Sequence, residues 1–145
     1  CQLTIYGRSK MKVAQYGTTI VIIHAIAHGL HGLAHEQIPV PLSLFQAVFV
    51  GVVILLAPII AAVLLWTQFE RIGSWLLLCS MAASILFGLY NHYIVISSDH
   101  VSHVSFVGWG LLFQVTATLT LIVDGLACWI SISALKALPQ NEKVL

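Results

Sequence analysis

The chain has 145 residues, of which 8% are charged and 59% apolar. A soluble domain of this length carries roughly 25% charged residues, so a cytosolic globular fold is excluded. A net charge of +1 offers no basic stripe to nucleic acid, and three scattered cysteines (Cys1, Cys79 and Cys128) make no disulfide framework.

What remains is an all-α integral membrane protein, a four-helix up-down bundle in one domain. A membrane helix needs roughly 20 predominantly apolar residues. The first such segment lies near 13–36, and its run Val13 to Ala34 is apolar except for Gln15, two threonines and three histidines. Pro39 and Pro41 close it. The second, near 43–68, contains the uncharged run Ala47 to Trp66, with Pro58 inside it to kink the helix. The third lies near 74–97 and ends at Ser97-Ser98-Asp99; the fourth, near 103–134, holds the single charge Asp124. Connections this short predict antiparallel neighbours.

Arg8, Lys10, Lys12, Arg71, Lys136 and Lys143 all fall at one end of such a bundle. The positive-inside rule then puts both termini in the cytoplasm. Trp66, Trp75 and Trp129 are expected near the same interface. The first residue is Cys rather than Met, so the natural start is expected to be either Cys1 or Met11.

Histidine sets the chain apart. His24, His28, His31 and His35 follow one another at spacings of 4, 3 and 4. At about 100° per residue they form one stripe about 60° wide. At 1.5 Å rise the stripe is about 16 Å long. The up-down topology brings His92, His100 and His103 to the same non-cytoplasmic half. Polar side chains in a membrane normally face the bundle interior, and imidazoles at i, i+3 and i, i+4 aim two nitrogens at one ion. The seven histidines are therefore the predicted metal or haem ligands, with Glu36 and Asp99 as supporting carboxylates. An imidazole and carboxylate set suits Cu, Fe or Zn. Haem b between His31 and His92 is the competing cofactor.

Helix 4 presents a polar face with Gln114 and Asp124. Counted from residue 103, Asp124 falls toward the cytoplasmic side, away from the histidines. Its expected role is a proton relay through Gln114 to the cluster. No phosphate loop, G-x-S-x-G elbow or H-E-x-x-H pattern is present.

The sequence thus predicts a multi-pass protein in the lipid bilayer with an outward-facing histidine site for redox or electron-transfer chemistry. Two other functions fit the same residues: an accessory subunit of a larger membrane complex, and a small metal or proton transporter. A homo-oligomer or partner subunits are expected, and nucleic acid is not.

Overall fold

A computed structural model describes residues 2–38 and 40–138, with side chains from Lys10 onward. Cys1, Pro39 and Lys143 lie outside the described residues. The chain is all-helical, with four helices long and apolar enough to cross a membrane. We label them α1 (Gln2–Gln37), α2 (Leu44–Leu65), α3 (Glu70–Ile94) and α4 (Trp109–Ala137).

Local chemistry sets each boundary. Ser43 and Gln46 form a capping box at the start of α2: Ser43 N–H donates to Gln46 Oε1 (2.8 Å) and Gln46 N–H to Ser43 Oγ (3.3 Å). After Leu65, Thr67 donates to the Leu64 carbonyl (2.8 Å) and accepts from the Phe69 N–H (3.0 Å), turning the chain into α3. Gly108 adopts a positive φ of 56° just before α4, a conformation that glycine enters without steric cost.

Two helices depart from α geometry. In α2 the segment Val50–Leu56 is π-helical, directly before Pro58, where the sequence predicts only a kink. Tyr90–Ile94 at the end of α3 is also π-helical. Such wide turns inside α-helices are often found at functional sites.

Helix α1 packs on α4, α4 on α3, and α3 on α2. At the end carrying the termini the core is apolar and closed, built from Ala14, Val21, Ala61, Leu65, Leu77, Met81, Val123 and Ala127. A Cβ on Gly73 would press on the Ala61 carbonyl and Leu64 Cβ, both 2.9 Å away, so glycine there lets α2 and α3 close up. Lys10 Nζ lies 3.1 Å from Glu70 Oε2, tying α1 to α3 at this end. Trp66, Trp75 and Trp129 are exposed around it.

The opposite end differs from expectation in one respect. Helix α4 begins at Trp109, not 103, and the connection before it runs over residues 95–108 with a 3₁₀ turn at Val101–His103. This segment folds back over the bundle. Val104 packs with Ala34 and Phe113, and Gln114 Nε2 donates to the Val104 carbonyl (2.8 Å).

Candidate metal centre

One face of α1 forms the spine of the site. Ring centroids are 4.3 Å apart for His24 and His28, and 4.8 Å apart for His31 and His35. His24 and His31 are buried. The π turn of α3 supplies His92, whose ring centroid is 4.9 Å from that of His31. Helix α4 supplies Phe113, Thr116 and Asp124, all buried.

In the upper group, one proton position follows from its acceptor: His92 Nδ1–H donates to the Asp99 carbonyl (3.1 Å). Each neutral ring carries one N–H, so His92 Nε2 presents a lone pair to His31 Nε2, 3.1 Å away. The Thr116 oxygen lies 3.0 Å from His31 Nδ1 and 2.6 Å from the Leu112 carbonyl, and its proton can serve either. With that proton on Leu112, His31 is protonated at Nδ1 and both Nε2 atoms offer lone pairs to a shared cation; with it on His31, Nε2–H of His31 donates to His92. Two bonds of about 2.05 Å to a common tetrahedral ion span about 3.3 Å, close to the separation found.

His35 completes this group. One ring nitrogen from each of His31, His35 and His92 lies within 4.8 Å of the other two. His35 Nδ1 is buried without a hydrogen bond. Asp99 Oδ1 sits 3.3 Å from His35 Nε2 and 3.2 Å from His92 Nδ1, an anion held beside two rings. The Nδ1–H to backbone carbonyl bond of His92 is the supporting contact that metal-bound histidines commonly make.

The lower group joins His24, His28 and Asp124, each offering one atom within 4.8 Å of the others. His24 Nδ1 is 2.6 Å from Asp124 Oδ1. His28 Nε2 is 3.5 Å from Asp124 Oδ2 and 3.5 Å from Ser84 Oγ. His24 Nε2–H donates to the Ile54 carbonyl (2.7 Å). The α-helical donor for that carbonyl would be the N–H of residue 58, and proline has none. Pro58 thus removes one competitor for the acceptor that orients His24.

Asp124 corrects the sequence expectation of a residue apart from the cluster. It lies inside the histidine column, with Oδ1 2.6 Å from Nδ1 of His24, the first histidine of the stripe. Gln114, its expected relay partner, is spent on the Val104 carbonyl. Two of the seven histidines are not brought to the column. His100 bonds Ser102 Oγ (2.7 Å) and the Tyr93 carbonyl (3.2 Å), and exposed His103 bonds the Ser97 carbonyl (2.9 Å). Both hold the connecting segment in shape. Ser84, Thr116 and the Ile54 carbonyl escaped sequence reasoning. None of the three lies on the polar face that Gln114 and Asp124 define, and Thr116 is about 160° round helix 4 from Gln114 at about 100° per residue.

A cavity of about 810 Å³ runs along the column between α1, α2 and α3. Its polar side includes His28, His31, His35, Glu36, Ser84 and His92; Val50, Ile54 and Phe87 face them. Phe49 stacks on Phe87 (4.8 Å) and Gln46 Nε2 donates to Asn91 Oδ1 (3.0 Å), holding the upper half of α2 to α3 rather than to α1. The cavity is the resulting gap. Comparison with protein-family models, characterised proteins and solved structures yields no match.

Proposed function

We propose that the chain is an integral membrane metalloprotein whose His31–His35–His92 centre binds one Cu or Fe ion for redox chemistry on a small apolar molecule. The carrying observation is the convergence of His31 and His92 Nε2, 3.1 Å apart, with a His35 nitrogen within 4.8 Å of both and the His92 Nδ1 proton committed to the Asp99 carbonyl. Three protein ligands with a free fourth position is the arrangement of catalytic rather than structural metal sites. An all-imidazole set suits Cu, Fe, Zn and Ni. The adjoining cavity is within the size range of organic-ligand sites, and its Val50, Ile54 and Phe87 wall suits an apolar substrate arriving from the bilayer.

Haem fits less well than a bare ion. The His31 and His92 rings already meet at hydrogen-bond distance, and His35 and Phe113 stand 4.8–5.7 Å from them by centroid. A porphyrin plane has no room between them. Below Asp124 the core is built mainly of apolar side chains, and the buried hydroxyls of Ser74, Ser80 and Ser131 are each spent on their own helix backbone, which favours a resident ion over a passage.

Elemental analysis and electron paramagnetic resonance of the purified protein test this. Parent protein is expected to hold Cu or Fe, with loss from the upper centre in His31→Ala and in His92→Ala but not in His100→Ala. Stoichiometric Zn instead would sink the redox assignment and keep the centre. Equal metal in parent and all three variants would sink the centre itself. Ligand nitrogens must be unprotonated, so retention should fall as the pH drops through about 6.

We also propose that the termini are cytoplasmic and the histidine end outside. Every Lys and Arg of the sequence falls at the terminal end, and residues 38–43 and 95–108 contain none. In a chain with its cysteines replaced by serine, Ser98→Cys should react with a membrane-impermeant maleimide added outside intact cells. Reaction only from the cytoplasmic face would reverse the orientation.

A further inference from the structure

We infer that His24 Nδ1, His28 Nε2 and the Asp124 carboxylate form a second metal centre, below the first in the same column. The inference goes beyond the proposed function, which needs the upper centre alone, and it stands on different atoms.

The two groups are separate. Their α1 ligands are displaced by seven residues, from His24 and His28 to His31 and His35, which is about 10 Å along a helix at 1.5 Å rise. That is too far for one ion, or a bridged pair, to serve both, since paired metals sit about 3.5–4 Å apart.

The lower group has the features of a built site. Two imidazoles and a carboxylate offer their atoms within 4.8 Å of one another. Asp124 and His24 are each 1% exposed, so neither is a surface side chain caught in passing. The Ile54 carbonyl holds the proton of His24 on Nε2 (2.7 Å), which turns the Nδ1 lone pair toward Asp124. A histidine fixed by donating its second nitrogen to a backbone carbonyl is a common metal-binding arrangement. Pro58 removes the α-helical donor that would compete with His24 for this carbonyl.

The same proton count explains the short contact. With Nε2–H given to Ile54, the 2.6 Å contact between Nδ1 and Asp124 Oδ1 needs one further proton, since both atoms otherwise present lone pairs. That proton occupies the position of an ion. Binding of a divalent cation displaces it to solvent, and the His24–Asp124 separation widens toward the spacing of two ligands on one ion. An entry path is present: the cavity lining includes His28, Ser84 and Thr120 at this depth as well as the upper ligands. Two imidazoles and one carboxylate are the donor set of the facial triad that holds non-haem Fe(II). The lower centre therefore takes Fe(II) or Zn(II), a harder preference than that of the three imidazoles above it.

The experiment is a metal count on the full chain in detergent, stripped and then equilibrated with Zn(II) or Fe(II). Parent protein should bind two ions. Asp124→Asn keeps a hydrogen bond to His24 and so keeps the fold, but should bind one ion; His28→Ala should do the same. His31→Ala should lose the other ion and keep this one. Pro58→Ala restores an N–H to the Ile54 carbonyl in competition with His24. It should weaken the lower centre roughly 10–100-fold, as loss of supporting contacts does, and leave the upper one unchanged. A parent that binds one ion, retained by Asp124→Asn and lost by His31→Ala, overturns the second centre while the first stands. A parent that binds none overturns both.

Discussion

In metal-free protein, His24→Leu should be among the most destabilising single changes, and His24→Leu with Asp124→Leu together should recover most of the loss. The two side chains are each 1% exposed and joined at 2.6 Å. Removing His24 leaves Asp124 with His28 at 3.5 Å and the Ser84 hydroxyl, and it takes the imidazole donor from the Ile54 carbonyl. Breaking a buried pair by deleting one partner costs about 3–5 kcal/mol. Replacing both with leucine removes the uncompensated carboxylate as well, and such replacements are often neutral or stabilising. Asp124→Asn should be mild, within about 1.5 kcal/mol, because the amide donates to Nδ1 of the neutral ring and retains a hydrogen bond. Reversible unfolding in mixed detergent micelles measures all four proteins. If the double variant were as unstable as His24→Leu, the cost would lie in cavity and packing, and the pair would have no special standing.

The placement of Asp124 shows where the sequence was legible and where it was not. Four apolar helices and the stripe on helix 1 are found, because both depend on local periodicity and length, but the ends shift: α1 runs Gln2–Gln37 against 13–36 and α3 Glu70–Ile94 against 74–97. His24, His28, His31, His35 and His92 are in the column as the spacing implies. The depth of Asp124 depended instead on where helix 4 begins. Starting that helix at 103 rather than Trp109 is a six-residue error, about 9 Å at 1.5 Å rise. It moves Asp124 from the level of His24 to the cytoplasmic half. The same error put His103 at a helix start, where it would aim inward; in a 3₁₀ turn it is exposed and bonds the Ser97 carbonyl.

Why the boundary misled is also physical. Residues 104–108 are Val-Ser-Phe-Val-Gly, apolar enough to continue a membrane helix by hydropathy. Only Val104 among them is buried, against Phe113 and Ala34, on a segment folded over the bundle end, while Phe106 and Val107 are exposed. Pro58 was read as a kink, which describes what a proline removes from its own helix. Its consequence here is the carbonyl offered to α1. That partner is 30 residues distant in sequence, and no local pattern reveals it.

The folded-back segment yields the second large effect. Gly110→Ala should weaken metal binding at the upper centre by roughly 10–100-fold, although the residue touches no ligand. A Cβ there would collide with the carbonyl oxygen of Ser105 and crowd the Ser105 carbonyl carbon at 3.0 Å. These are backbone atoms, so no side-chain rotation relieves the contact, and the segment has to lift away from α4. Lifting it breaks the bond from Gln114 to the Val104 carbonyl. It also draws Asp99 off His92, whose Nδ1–H donates to the Asp99 carbonyl and fixes the ring with Nε2 toward His31. Loss of such a supporting contact typically costs 10–100-fold in metal affinity. Gly125→Ala is the control, since a Cβ on Gly125, in the same helix, meets nothing within 4 Å. Competition with a chelator reads the affinity of both variants. If Gly110→Ala binds as tightly as Gly125→Ala, the segment is only a connection and His92 is held by α3 alone.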